Sequence, residues 1–384
     1  MLPKLNMLSF YKPKFGHFMS YKKNKRIILL LFTLLLFHMQ IFFSSENHTL
    51  SHIHTSPPID IVYLWVDGSD PNWLSIKNQY LQPDHQYSTI DEEACSDNRF
   101  FDHEELKYSL RSLVKFAPFF NHIYIVKMNQ RPKWLINHPQ ITIIDHQEIF
   151  KNSEDLPSFN SQSIESNIHR IPGLSEHFIY FNDDVLLGHK VAPSDFFTES
   201  GKIKVLFEPG LTVSKSPEVQ ASLYRKAWLN SSALLNTYFF EERRQRLCHA
   251  PFALRKSFIE QVECLFPFVF TSNSSHQFRN DQDFNLTNGL LQYIWKYQDK
   301  IERGSLTNKM ISIYNDELFL LTEIQLVDLI KTSPHTFCIQ DCITKKGIKT
   351  CNLLKKIFND LFPNPAPWEN TSDASLEIGL QNEQ

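Results

Sequence analysis

Asn182-Asp183-Asp184 ends the apolar run Phe178-Ile179-Tyr180-Phe181. Two adjacent carboxylates at a strand end have the chemistry to hold a hard divalent cation, Mg2+ or Mn2+, against a diphosphate. The same pair also occurs in solvated turns, because Asn and Asp stop strands and short motifs match by chance. What surrounds the pair decides between the two readings.

Elements must exist to position such a pair. Phe178 to Phe181 is aromatic and β-branched and reads as a buried strand. Ile59 to Val66 reads as a first strand, broken by the turn residues Asp67-Gly68-Ser69-Asp70-Pro71. His122 to Val126 and Ile141 to Ile144 read as the second and third strands. Between them, residues 102–116 carry Leu106, Leu110, Leu113 and Val114 at helical spacing, and 163–169 is a shorter helical stretch. Strands alternating with helices predict a single α/β domain with a mostly parallel, Rossmann-like sheet. Such sheets bind ligands outside the carboxyl ends of their strands, which is where the Asp pair falls. Residues 211–246 carry few signals. Helices are expected over 251–266, 286–297 and 353–362, the last ahead of Pro363, Pro365 and Pro367.

The 384 residues carry a net charge of −3, which gives no electrostatic case for nucleic acid. Ten glycines form no Gly-rich phosphate loop. Residues 27–43 are apolar apart from Thr33, His38 and Gln40, and Lys22, Lys23, Lys25 and Arg26 precede them. That pattern predicts a short signal anchor with the N-terminus in the cytosol. The organisation expected is a cytosolic tail 1–26, a transmembrane anchor 27–43, a stem 44–58, one catalytic domain 59–368 and a polar tail 369–384. Sequons at Asn47, Asn230, Asn273, Asn285 and Asn370 and all six cysteines (95, 248, 264, 338, 342, 351) follow the span. They point to a lumenal, glycosylated, disulfide-bonded body, a type II protein of the Golgi; a bacterial inner membrane is the alternative. Zinc on Cys338, Cys342 and Cys351 ranks below a disulfide, since their spacing fits no common zinc motif. A homo-oligomer is left open.

Four stretches recur in a fixed order. The first runs Ile59-Asp60-Ile61-Val62-Tyr63-Leu64-Trp65-Val66-Asp67-Gly68. The second runs from Arg99-Phe100 through Glu104-Glu105-Leu106, Gln130-Arg131-Pro132 and Ile164-Glu165-Ser166-Asn167-Ile168-His169-Arg170 to Asn182-Asp183-Asp184-Val185. The third is Cys248-His249-Ala250-Pro251 with Phe278-Arg279-Asn280-Asp281-Gln282-Asp283, and the fourth is Phe337-Cys338-Ile339-Gln340-Asp341. Together they resemble the Stealth family of hexose-1-phosphate transferases over residues 57–368. The fourth block departs from the family's usual Asn-Asp in having Gln340-Asp341.

The resemblance implies transfer of a sugar-1-phosphate, typically N-acetylglucosamine-1-phosphate, from a UDP-sugar to a glycan or polysaccharide hydroxyl, with release of UMP. It assigns roles residue by residue. Asp183 and Asp184 hold the cation, with Asp283 a second ligand. His249 accepts the acceptor hydroxyl's proton, and Arg279 neutralises phosphoryl charge. Asp67, Asn182, Arg99 and Arg170 meet the substrates, the two arginines as phosphate clamps. Bland readings stand beside these: His249 as the cap of a helix near Pro251, Arg279 as a surface residue, Glu104 and Glu105 as first-turn acids of a helix. Only 36 residues separate Gly210 from Leu247, where animal members carry long inserts that help select protein substrates. Two rival functions remain: a metal-dependent glycosyltransferase releasing UDP, and a non-catalytic membrane-anchored glycan-binding protein.

Overall fold

Runs of β-branched and aromatic residues form the centre of the molecule. The computed structural model describes residues 57–81, 92–213, 221–341 and 347–370. Twelve strands follow in chain order. They are β1 Ile59–Leu64, β2 Ile123–Lys127, β3 Ile141–Asp145, β4 His177–Asn182, β5 Val185–Leu187, β6 Ile203–Val205, β7 Phe207–Val213, β8 Arg244–Leu247, β9 Phe252–Arg255, β10 Ile301–Arg303, β11 Asn308–Ile313 and β12 Thr336–Asp341. The longer helices are α1 Pro71–Tyr80, α2 Glu105–Phe116, α3 Leu223–Tyr238, α4 Lys256–Leu265, α5 Pro267–Ser275, α6 Leu291–Tyr297, α7 Phe319–Thr332 and α8 Ile348–Leu361.

The main sheet has the order β3-β2-β1-β4-β9. Its first four strands are parallel and β9 runs antiparallel along β4. Ile61, Val62, Ile123, Ile125, Phe178 and Ile179 are buried almost completely, as strands covered on both faces require. The chain leaves β1 toward β2 and β3, then returns to place β4 on the other side of β1. The strand order therefore reverses between β1 and β4, the position where open α/β sheets form a ligand crevice.

A second sheet, β11-β12-β5, adjoins that crevice. β4 and β5 are separated only by Asp183-Asp184, so the acidic pair is the joint where the chain passes from one sheet to the other. Helix α2 fixes this joint through small polar residues. Ser109 Oγ donates to the Val185 carbonyl at 2.6 Å, Tyr63 Oη lies 2.7 Å from Ser109 Oγ, and Leu187 N donates to Ser112 Oγ at 3.0 Å.

Several sequence expectations are corrected. The helix expected over 251–266 begins at Lys256, because Phe252-Ala253-Leu254 instead supplies the edge strand β9. Helix α8 starts at Ile348, earlier than 353. Glu369, assigned to a polar tail, is buried and ion-paired with Arg111 at 2.6 Å. The described cysteines 95, 248, 264, 338 and 351 form no disulfide with one another, and Cys342 lies outside the described residues. Asn273 and Asn285 are buried, and Asn273 exchanges hydrogen bonds with the Phe284 backbone at 2.8 Å, which leaves no room for a glycan in the folded chain. Asn230 donates to the Asp281 and Asp283 carbonyls. The expected anchor 27–43, its flanks and Asn47 lie outside the described residues; among those described, no helix is long and apolar enough to cross a membrane.

Candidate active site

The crevice at the ends of β1 and β4 is a cavity of about 760 Å³. Its wall includes Trp65, Arg99, Asn182, Asp183, Asp184, Arg246, His249, Arg279, Cys338 and Gln340. That volume falls in the range of about 300–1,000 Å³ common for small-molecule sites.

Strand geometry delivers the acidic pair. Asn182 is the last residue of β4, and the turn after it presents Asp183 and Asp184. Asp183 Oδ1 accepts from the Asp184 backbone N–H at 3.1 Å. Burial raises the Asp183 carboxyl well above its usual range, and the charges of Asp184 and then Asp102 add to the effect. Asp102 is held by Trp65 Nε1 at 3.2 Å and the Glu104 N–H at 2.7 Å. Among the described residues, Asp184 Oδ1 is buried without a hydrogen-bond partner. Crowded carboxylates with an unpartnered inward oxygen fit a divalent cation.

The antiparallel edge strand explains His249. Phe252 pairs with Tyr180, so β9 begins beside the end of β4. The residues just before β9 therefore lie over the Asp pair. His249 Nε2 sits 3.1 Å from Asn182 Nδ2 and 3.6 Å from Asp184 Oδ1. Burial works to lower the imidazole pKa, but the Asp184 carboxylate beside it outweighs this and the net shift is upward. His249 is no helix cap, since helix α4 begins seven residues later.

Arg279 rides on a loop tied down from inside. Asn160 Nδ2 donates to the His276 and Phe278 carbonyls and to Asp283 Oδ2 at 3.2, 3.3 and 3.0 Å. Phe278 stacks on Phe159 with ring centroids 4.8 Å apart. Arg279 Nη2 donates to Ser161 Oγ at 3.0 Å, and among the described residues its guanidinium has no carboxylate partner. Arg99 also faces the cavity but pairs with Glu93 at 2.6 Å, and Arg246 lies 3.7 Å from Glu208.

Three expected site residues lie elsewhere. Asp283 is buried, with Oδ1 2.7 Å from His276 Nδ1 and Oδ2 accepting from Asn160 and the Asn280 N–H. Both oxygens are spent on the Arg279 loop, so it is not a metal ligand beside Asp183 and Asp184. Arg170 bonds Asn167 Oδ1 at 2.6 Å and pairs with Glu263 away from the cavity wall. Asp67 Oδ1 accepts from the Ser69 N–H and hydroxyl, at 2.9 and 2.5 Å, and shapes the turn after β1. Gly68 is required there: a Cβ would come within 2.2 Å of the Phe100 carbonyl oxygen.

Four contributors were not legible as site residues. Asp102 and Glu165 reveal themselves only by proximity; Glu165 is buried beneath Thr287 and Tyr180, and burial raises its carboxyl pKa. Arg246 comes from the stretch with few signals. Cys338 arrives through β12, whose register sets it opposite Val185. Its Sγ–H donates to Asp184 Oδ2 at 3.2 Å.

The motifs in this cleft match described protein regions: Stealth protein CR1, conserved region 1, over residues 57–82; CR2, conserved region 2, over 99–205; and CR3, conserved region 3, over 248–296. The capsular polysaccharide phosphotransferase fcs1 of Haemophilus influenzae is 35% identical over 311 residues, 77% of this chain and 81% of that protein. The chain belongs to the Stealth family. LcbA of Neisseria meningitidis, another capsular polysaccharide phosphotransferase, is 35% identical over 76% of this chain and 80% of its own length. The exopolysaccharide phosphotransferase SCO6023 of Streptomyces coelicolor is 34% identical over 83% of this chain but 53% of its own length. This Stealth chain thus spans about half the length of the Streptomyces relatives. Among solved structures, the galactosyltransferase LgtC aligns with a TM-score of 0.36 and 10% identity, over 81% of this chain and 99% of that one, too weakly to carry an argument.

Proposed function

We propose that this chain is a polysaccharide phosphotransferase. It moves a hexose-1-phosphate, of the N-acetylglucosamine-1-phosphate kind, from a UDP-sugar to a hydroxyl of a glycan acceptor and releases UMP. One observation carries the reading: the cleft between β1 and β4 gathers paired carboxylates, an imidazole and an arginine that has no carboxylate partner among the described residues. The Haemophilus and Neisseria relatives, both capsular polysaccharide phosphotransferases by name, support the polysaccharide acceptor.

The acceptor oxygen attacks the sugar-linked phosphorus. The phosphorus–oxygen bond to UMP breaks, and the bond between sugar and oxygen stays intact. His249 Nε2 takes the hydroxyl proton as the new bond forms. Arg279 meets the charge on the phosphoryl oxygens. A divalent cation on Asp183 and Asp184 would neutralise diphosphate charge. Asn182 orients His249 from the side, and Arg99, kept in place by Glu93, lines the donor's path. The basic cluster before residues 27–43 supports a membrane-anchored enzyme whose body faces away from the cytosol.

The test is the leaving nucleotide. Incubation with UDP-N-acetylglucosamine and a glycan acceptor yields UMP and a phosphodiester resonance by phosphorus NMR. UDP as the sole nucleotide, with a phosphate-free product, would establish glycosyl transfer instead.

A further inference from the structure

Cys338 has no part in the reaction above, yet its sulfur points at the acidic pair. Asp184, His249 and Cys338 offer a carboxylate oxygen, an imidazole nitrogen and a thiol sulfur, all within 4.8 Å of one another. The two Asp184 oxygens face the other two groups separately: Sγ lies 3.2 Å from Oδ2, and His249 Nε2 lies 3.6 Å from Oδ1. A tetrahedral zinc ion, with Zn–S near 2.3 Å and Zn–N or Zn–O near 2.0 Å, spaces its ligands by about 3.3–3.5 Å. Whichever Asp184 oxygen binds, one edge already has about tetrahedral length, and the other two need to close by about 1.3 Å at most. Two different sheets supply these groups and hold them from outside. Cys338 is fixed by β12 pairing with β5, with Ile339 N donating to the Asp184 carbonyl at 2.9 Å; His249 is fixed by the start of β9. All three residues line the cavity, so a fourth position opens to solvent or substrate.

We propose that Asp184, His249 and Cys338 form a tetrahedral site for zinc-class cations, and that an ion bound there blocks phosphoryl transfer. A sulfur and an imidazole select zinc or cobalt over magnesium, which demands oxygen ligands. As the metal–sulfur bond forms, the Cys338 proton passes to solvent, and His249 binds as neutral imidazole through Nε2. That nitrogen then has no lone pair for the acceptor hydroxyl. The blocking half rests on the proposed role of His249; the binding half does not.

Metal-stripped full-length protein titrated with Co2+ tests the binding half. The expected result is one equivalent bound, with a thiolate-to-cobalt charge-transfer band and the intense visible bands of a tetrahedral ion, both bleached by Zn2+. Cys338→Ser loses the charge-transfer band and weakens zinc binding by about 100-fold or more, since even outer ligand partners cost 10–100-fold. Cys338→Ala serves the same purpose if the serine variant does not fold. A weak octahedral spectrum in the wild type, or unchanged zinc affinity in a folded Cys338 variant, overturns the site. The blocking half is read from turnover in Mg2+: one equivalent of zinc abolishes it and a chelator restores it. Full turnover with the cobalt-displacing zinc in place overturns that half alone.

Discussion

Arg279 faces the cleft and donates to the neutral Ser161 hydroxyl, so its charge is available to an anion. Lysine would keep the charge and lose the two-pronged geometry that suits phosphate. Arg279→Lys should therefore lower kcat by about 10²-fold with a smaller change in donor affinity. Equal losses in kcat and binding would make Arg279 a ground-state contact. His249 carries the proton in the proposed step. His249→Ala should cost about 10²- to 10⁴-fold in turnover while nucleotide-sugar binding survives. Unchanged turnover would leave His249 as a structural neighbour of Asn182 and place the base elsewhere.

Elements decide which polar residues reach the cleft. Asp283 sits in the same short motif as Arg279, yet its carboxylate turns inward to Asn160, His276 and the Asn280 N–H. Asp283→Asn should reduce turnover by loosening the Arg279 loop and leave the Mn2+ concentration for half-maximal activity unchanged. A rise matching that of Asp184→Asn would restore Asp283 as a metal ligand. The parallel strands β1 to β4 were legible because each is a run of β-branched or aromatic residues that only a doubly covered sheet accommodates. β9 was misread as helix, since Phe252-Ala253-Leu254-Arg255 runs into the amphipathic segment of α4 without a break. Only its pairing with β4 separates the two. Helix α3 was missed because Asn230, Ser231, Ser232 and Asn236 interrupt its apolar face; Ser231 bonds Asn285 and Ser232 bonds Arg244. The Asp pair stood out by residue type and His249 by the resemblance, and the structure brings the two together in one cleft. Cys338 against Asp184 was not legible, since it depends on the register of β12 on β5, which no local pattern encodes.

At the scale of the whole molecule, two ion arrangements set stability against function. Arg111 and Glu369 join α2 to the chain's closing segment through two hydrogen bonds of 2.7 and 2.6 Å, with Arg111 Nη1 on the Phe362 carbonyl at 2.8 Å. Removing one partner leaves a buried charge alone, so Glu369→Ala should cost about 3–5 kcal/mol in denaturant unfolding. A loss below about 1 kcal/mol would class the pair with exposed salt bridges. The acidic joint between the sheets works in the opposite sense. Asp183, Asp184 and Asp102 are like charges brought together by folding, and the unfolded chain is free of their repulsion. Without a cation the site is a destabilised spot held by the sheets on either side. Asp183→Asn removes one of those charges at nearly constant shape. The metal-free variant should melt at a higher temperature than the metal-free wild type, while its turnover falls. Mg2+ or Mn2+ at about 100 times its Kd should stabilise the wild type by about 2.7 kcal/mol, because it binds the folded state alone. The variant should gain much less. Thermal melts of both proteins with and without cation decide the matter. Equal cation-induced shifts would place the metal away from Asp183, and a lower metal-free melting temperature in the variant would mean that the carboxylate is a structural hydrogen-bond acceptor first.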